Sequence, residues 1–108
     1  MADLLLVDAD LLARGRIEAA ATGTSVTVAS SASPPPPGDF SLVVVDLDRG
    51  GRAALAWVDA LRGEGFEGRV VGFFSHVDEE AGRTAAEAGI TVFPRGRFWR
   101  ELPRLLEG

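Results

Sequence analysis

Two short apolar segments of this chain have nearly the same sequence, and both end in Asp-x-Asp. They are residues 4–10 (LLLVDAD) and residues 42–48 (LVVVDLD). Continuous apolar runs of this length with β-branched residues are typical of strands covered on both faces, as in a parallel sheet. Open sheets of this kind bind their ligands at the carboxyl ends of the strands. The two segments therefore predict a parallel sheet whose functional edge carries acids.

Strand and helix signals alternate along the chain. Strands are predicted at residues 3–8, 25–29, 41–46, 69–74 and 90–93, and helices at 11–21, 52–63, 79–88 and 98–106. Asp10 and Asp78 are suited to cap the first and third helices. Pro103 should kink the last helix or restrict its regular part to the residues after Glu101. This order predicts one α/β domain over residues 1–108, a doubly wound five-stranded parallel sheet.

The connection between the second and third strands lacks a helical pattern. Residues 30–39 contain four consecutive prolines, Pro34 to Pro37, after a Ser-rich stretch. Such a run favours polyproline II, which is extended. We therefore predict that a Pro-rich loop replaces the second helix. A rigid spacer is the favoured interpretation of this loop, and a ligand for a proline-recognition domain is the alternative.

Composition narrows the classes of function. The net charge of −5 argues against non-specific binding of nucleic acid, and all eleven basic residues are Arg. Without cysteine the chain has no disulfide framework and no thiolate metal site. No apolar run is long enough to cross a bilayer. We expect a stand-alone cytoplasmic domain with neither a nucleic-acid nor a membrane partner.

The residues that end the predicted strands resemble those of response-regulator receiver domains, which have a CheY-like, flavodoxin-like topology. Acids end the first and third strands, a hydroxyl follows the fourth in FFSH, and a basic residue follows the fifth in FPRG. The resemblance implies that Asp46 is the phosphoacceptor and that Asp8 and Asp46 hold Mg²⁺. It also implies that Ser75 and Arg95 occupy the two switch positions. The expected role is two-component signal transduction.

Several positions depart from the family's pattern. Ala9 replaces the second acid of the metal-binding pair, which should weaken Mg²⁺ binding, so we expect no cofactor. Arg95 stands where the family has a lysine, and the two side chains are not interchangeable. Arg49 and Gly50 follow Asp46 where the family has Met-Pro. These departures favour an atypical pseudo-receiver that acts without phosphorylation and is not an enzyme.

Three further polar residues lie near this edge. Asp10 and Asp48 are interpreted as helix-start or loop acids rather than ligands. His76 is the only histidine of the sequence, and no cysteine accompanies it. It lacks partners for a metal centre or a catalytic triad, so a loop histidine is the favoured interpretation.

A basic and aromatic cluster lies near the end of the chain. In receiver domains the corresponding face, here residues 79–106, commonly mediates dimerisation or output. We predict that it contacts a protein partner or a second copy of the chain through Arg97, Phe98, Trp99 and Arg100. Arg and Trp are enriched at binding hot spots, and Trp99 is the residue we expect to be left for a partner.

Two alternatives remain open. One is a working phosphoacceptor receiver that uses Asp46, Asp8 and Mg²⁺. The other, more remote, is a phosphatase, because residues 43–48 (VVVDLD) look like the opening motif of haloacid-dehalogenase-type enzymes. In that family the first Asp is the nucleophile and the second the general acid/base. The motif continues there with Gly-Thr, where this chain has Arg49-Gly50. The second acidic pair for Mg²⁺ and the cap or longer core that this family needs do not fit in the residues that remain.

Overall fold

The computed structural model describes residues 3–75 and 79–107, which form alternating strands and helices. The strands are β1 (Asp3–Val7), β2 (Ser25–Ala29), β3 (Leu42–Asp46), β4 (Arg69–Phe74) and β5 (Ile90–Pro94). The helices are α1 (Leu11–Ala20), α2 (Leu47–Gly63), α3 (Glu79–Glu87) and α4 (Arg95–Glu107). All strand pairs are parallel, in the order β2-β1-β3-β4-β5. The predicted flavodoxin-like, doubly wound sheet is thus confirmed.

The strand register brings the polar strand ends to one edge. Val7 of β1 pairs with Val45 of β3, and Asp46 pairs with Phe73 of β4. Phe74 of β4 pairs in turn with Pro94 of β5. Neighbouring strands therefore end at the same height along this edge. Asp46 ends β3, whereas Asp8, Ser75 and Arg95 directly follow β1, β4 and β5.

Each face of the sheet packs against a different pair of helices. Because side chains alternate along a strand, successive residues of β1 enter different cores. Leu5 and Val7 belong to the core under α2 and α3, whose buried members also include Val43, Val45, Trp57, Val58, Leu61 and Ala85. Leu4 and Leu6 belong to the core under α1 and α4, with Ala13, Ile17, Leu42, Val44, Phe73, Phe98 and Leu102. Near-complete burial on both faces explains why these strands are apolar without alternation.

An extended segment, residues 30–41, connects β2 to β3 and is here called the strap. It contains no helix, which confirms the predicted Pro-rich replacement. The Ser31 N–H donates to Asp8 Oδ1 at 2.9 Å, and Trp57 Nε1 donates to the Ser33 carbonyl at 2.9 Å. The Ser41 N–H donates to the Asp3 carbonyl at 2.8 Å. The strap is thereby held against β1 and against α2.

Two helix starts differ from the sequence prediction. Helix α2 begins with an additional turn from Leu47, and Gly51, with a non-helical φ of 51° and ψ of −135°, separates this turn from the predicted helix over residues 52–63. The sequence does not predict this first turn, because Gly50 and Gly51 interrupt the helical spacing of apolar residues. Helix α4 begins at Arg95 rather than at residue 98 and continues through Pro103 to Glu107, so the predicted restriction to its last part is wrong.

Two sequence predictions fall outside the described residues. They are the interpretation of His76 as a loop residue and of Asp78 as a helix cap. Within residues 3–75 and 79–107, every helix is too short or too polar to cross a membrane.

Candidate functional site at the carboxyl edge of the sheet

Asp46 ends β3 and is the one buried charged side chain among the described residues, with 0% of its surface exposed. Its Oδ1 accepts hydrogen bonds from the backbone N–H groups of Asp48 at 3.1 Å and Arg49 at 3.2 Å. These bonds make Asp46 the N-cap of α2. Its Oδ2 accepts no hydrogen bond from the part of the chain that the structure describes. The Arg95 guanidinium lies 3.6 Å from this oxygen.

Burial is the main reason why the pKa of Asp46 is raised above its ordinary value. The Arg49 N–H and the Arg95 charge oppose this rise, whereas the charges of Asp48 and Asp10 add to it. Asp46 is therefore a buried carboxyl group with a raised pKa, with one oxygen used to start a helix and the other enclosed.

Asp48 lies in the first turn of α2 and reaches across to the ends of β4 and β5. Its Oδ1 accepts from the Ser75 N–H at 2.8 Å, and its Oδ2 accepts from Ser75 Oγ at 2.7 Å. Arg95 donates to the same Oδ2 through Nη2 at 3.1 Å and Nε at 3.3 Å. We call Asp48, Ser75 and Arg95 the Asp48 cluster. It joins three separate elements at the sheet edge.

These contacts set the charge state of Asp48. Burial alone would raise the pKa of Asp48, but the hydrogen bonds from Ser75 and the bond and charge of Arg95 outweigh it, and the pKa is lowered. Asp48 is therefore a carboxylate at neutral pH. The interpretation of Asp48 as a helix-start acid is correct for its position but misses these partners. The pairing of β4 with β5 would have indicated them, since it brings Ser75 and Arg95 together.

The acids that follow β1 have different partners. Asp8 has a left-handed φ of 60°, which is uncommon for a residue other than glycine. Its Oδ1 binds the strap, and its Oδ2 is buried without a hydrogen bond from the described residues. Asp10 is the N-cap of α1 and accepts from the Ala13 N–H at 2.8 Å. The interpretation of Asp10 as a helix-start acid therefore agrees with the structure.

The enclosed oxygens of Asp8 and Asp46 are candidate protein ligands for Mg²⁺. This ion binds through one or two carboxylates and retains several waters. Residues 3–75 and 79–107 contain no group of three or more acidic, His or Cys side chains suited to a metal. Gly50 of α2 also closes on Asp8, since a Cβ placed on it would lie 2.6 Å from Asp8 Oδ2. The donor chemistry fits Mg²⁺, and the backbone of α2 at Gly50 lies beside the Asp8 oxygen.

The aromatic residues of α4 divide between core and surface. Phe98 is 0% exposed and stacks on Phe73, with ring centroids 4.7 Å apart. The prediction that Phe98 contacts a partner is therefore wrong, because this side of α4 packs on the sheet. Trp99 is half-buried, and the guanidinium of Arg16 on α1 lies 4.2 Å from its ring centroid.

Arg97 and Arg100, which we expect to contact a partner, are both exposed. Arg97 lies 3.9 Å from Glu101 on the same helix, a weak surface pair. Partner binding through Arg97, Trp99 and Arg100 stays a prediction. The roles of Asp46, Ser75 and Arg95 as phosphoacceptor and switch residues also stay predictions.

Known structures with the same fold include three bacterial proteins. A response regulator receiver protein from Pseudoalteromonas atlantica has a TM-score of 0.82 at 14% identity, over 97% of this chain and 93% of that chain. The chemotaxis protein CheY4 of Vibrio cholerae has a TM-score of 0.71 at 16% identity, over 97% and 98%. NtrX of Brucella abortus, solved with ADP, has a TM-score of 0.69 at 24% identity, over 99% of this chain but 26% of NtrX.

At these identities the likeness establishes the fold, which is that of CheY-like receiver domains. No protein-family model matches the sequence, and no curated protein matches it. The resemblance drawn from the strand-end residues is thus confirmed at the level of structure.

Proposed function

We propose that this chain is a receiver-like signalling domain that acts through protein contacts without being phosphorylated. The observation that carries the proposal is the state of Asp46. Transfer of a phosphoryl group to a carboxylate needs an accessible oxygen. One oxygen of Asp46 caps α2, and the other is buried beneath the surface.

The signalling part of the proposal rests on the fold and on the names of similar structures, which include a response regulator receiver protein and a chemotaxis protein. The contact surface would be built from α3, β5 and α4. It contains an edge strand, four exposed arginines (Arg83, Arg97, Arg100 and Arg104) and the half-buried Trp99. Arg and Trp are residue types that contribute strongly to protein interfaces.

The chain is also proposed not to be an enzyme. In the phosphatase alternative Asp48 would be the general acid/base. A general acid must hold its proton near the working pH. The pKa of Asp48 is instead lowered, and its two oxygens are bound to Ser75 and Arg95.

A working phosphoacceptor receiver is the second candidate, favoured by one observation. Asp8 and Asp46 each retain a buried oxygen that accepts no hydrogen bond from the described residues. Unpaired buried carboxylate oxygens are costly, and a cation would satisfy them. In that case Asp8 and Asp46 would hold Mg²⁺, and the ion would neutralise charge around the reacting carboxylate.

A titration with Mg²⁺ and beryllofluoride distinguishes the two candidates. Amide chemical shifts and Trp fluorescence are followed in the wild-type chain and in Asp46→Asn, which retains the capping oxygen. We expect no saturable response in either protein. A saturable response in the wild type that disappears in Asp46→Asn would establish the phosphoacceptor and overturn phosphorylation independence.

A further inference from the structure

The two edge strands of the sheet differ in how they are protected against pairing with another chain. β5 ends at Pro94 and is followed by Arg95 and Arg97, and proline and charge at an edge strand oppose such pairing. β2, with the sequence SVTVA, is the other edge and has neither. It lies within residues 19–38, the longest stretch of the chain without a charged residue. β2 is therefore an edge without the usual protection.

The backbone of β2 directs hydrogen-bonding groups away from the sheet. The Asp8 N–H donates to the Ala29 carbonyl at 3.1 Å, so Ala29 faces β1. Since alternate residues of a strand face the same neighbour, Thr27 also faces β1. The N–H and C=O groups of Val26 and Val28 then point to the open side. None of the backbone hydrogen bonds made by the described turns and loops ends on these outward groups.

The strap leaves this open side uncovered. After β2 the chain turns inward, where the Ser31 N–H binds Asp8 and the Ser33 carbonyl accepts from Trp57 of α2. Thr27, at the centre of β2, is exposed. Val28 is 43% exposed, which is unusual for a large apolar side chain of this molecule. A second strand could therefore approach β2 from outside.

The sequence of β2 is nearly the same in both directions about Thr27, which makes the edge self-complementary. In an antiparallel pair of two copies centred on Thr27, Val26 of one copy lies opposite Val28 of the other. Residues whose backbone groups both point to the partner form the hydrogen-bonded pairs of an antiparallel ladder, and here these are the valines. Thr27 would lie opposite Thr27, and cross-strand Thr pairs are favourable.

We propose that β2 of one copy pairs antiparallel with β2 of a second copy, so that two five-stranded sheets join into one. Each copy has a net charge of −5, and like charges oppose association. An edge without charged residues is where this repulsion is weakest. The pairing is isologous, so each copy uses its β2 for the other and the assembly closes as a dimer.

This interface is separate from the contact surface of the proposed function. That surface is built from α3, β5 and α4, and β5 is at the opposite edge of the sheet from β2. The dimer would leave it accessible in both copies. A partner with two binding sites would then gain avidity from the dimer.

Hydrogen exchange and sedimentation over a wide range of protein concentration test the proposal on the wild type. Five paired residues bury little surface, so we expect a weak dimer that forms as the concentration rises. Exchange of the Val26 and Val28 amides should slow with concentration, whereas that of the Thr27 amide, which faces β1, should not change. A wild type that stays monomeric, or whose Val26 and Val28 amides do not respond, would overturn the proposal.

Substitutions at the centre of β2 test the register. Thr27→Arg and Thr27→Glu should each be monomeric, because like charges would then lie opposite each other. An equimolar mixture of the two should associate, since Arg would lie opposite Glu. Thr91→Arg is the matched control, because Thr91 is an exposed threonine on β5, and it should dimerise as the wild type does.

The same variants separate this proposal from the proposed function. A dimer that persists in Thr27→Arg, or a mixture that does not associate, would overturn pairing through β2 and leave the signalling proposal standing. Dimerisation lost in Thr91→Arg alone would overturn it too, and would place the interface on the proposed contact surface. The exchange measurement needs no variant, so it decides the matter even if a variant fails to fold.

Discussion

The two Asp-x-Asp segments have the same pattern but use their acids in opposite ways. After β1, the first acid, Asp8, binds the strap, and the last, Asp10, caps α1. After β3, the first acid, Asp46, caps α2, and the last, Asp48, reaches Ser75 on the neighbouring strand end. The difference shows that the start of the following helix, rather than the spacing of the acids, decides what each acid does.

The cause lies in the backbone that follows each strand. Asp8 turns the chain with its left-handed φ of 60°, so α1 starts only at Leu11. The chain after Asp46 enters α2 at once and places its left-handed residue later, at Gly51. Glycine adopts this conformation without the steric cost that Asp8 bears.

Gly50 follows the second Asp-x-Asp segment and lies against Asp8 of the first. Its substitution should have the largest effect on stability. In Gly50→Ala the new Cβ would lie 2.5 Å from Ala54 Cβ and 2.6 Å from Asp8 Oδ2. Contacts this short force a shift of α2 or of Asp8. We expect a loss of about 1–3 kcal/mol in the free energy of unfolding, measured with urea.

Gly15→Ala is the matched control, because a Cβ there meets no atom within 4 Å. In the middle of α1 it should raise the free energy of unfolding by about 0.5–1 kcal/mol. Equal effects of the two substitutions would show that α2 does not press on Asp8.

The two helix caps should respond differently to substitution. Asp10→Ala removes the acceptor of the Ala13 N–H and should cost about 1 kcal/mol of stability. Asp46→Asn keeps a side-chain oxygen for the cap of α2 and removes a buried charge. It should leave the free energy of unfolding at neutral pH unchanged or increased. A loss of stability in Asp46→Asn as large as that in Asp10→Ala would contradict the assignment of Asp46 as a helix cap whose charge is disfavoured by burial.

The two acids of the second segment should give pH effects of opposite sign. Because the pKa of Asp46 is raised by burial, its contribution to stability falls as the pH rises from the unfolded value, about 3.9, through the raised folded value. The pKa of Asp48 is lowered, with the Ser75 and Arg95 bonds outweighing its burial. Its contribution is present above about pH 3.9 and is lost as the pH falls through the lowered folded value.

Urea unfolding over a series of pH values measures both effects. As the pH rises, the free energy of unfolding of Asp46→Asn should increase relative to that of the wild type. The free energy of unfolding of Asp48→Asn should decrease relative to that of the wild type over the same pH change. If the difference in free energy of unfolding from the wild type changed with pH in the same direction for both variants, the opposite pKa shifts of Asp46 and Asp48 would be refuted.

The sequence predicts the sheet well because its three central strands, β1, β3 and β4, are continuous apolar runs that are buried on both faces. It does not predict the start of α2, since Gly50 and Gly51 interrupt the helical pattern. The role of Asp48 depends on strand order and register, which bring Ser75 and Arg95 beside it. Phe98 and Trp99 each share a helical spacing with Leu102, so the choice between them as the buried ring depends on how α4 is rotated against the sheet.

The strap makes its two contacts with Asp8 and Trp57 through main-chain atoms, the Ser31 N–H and the Ser33 carbonyl. Apart from Phe40, which packs against the core under α2 and α3, its side chains are therefore free to change during evolution as long as its length keeps these two groups in place. Selection on this part of the molecule should act on Asp8, on Trp57 and on insertions or deletions between β2 and β3. Homologues should accordingly share the length of this connection more faithfully than its prolines.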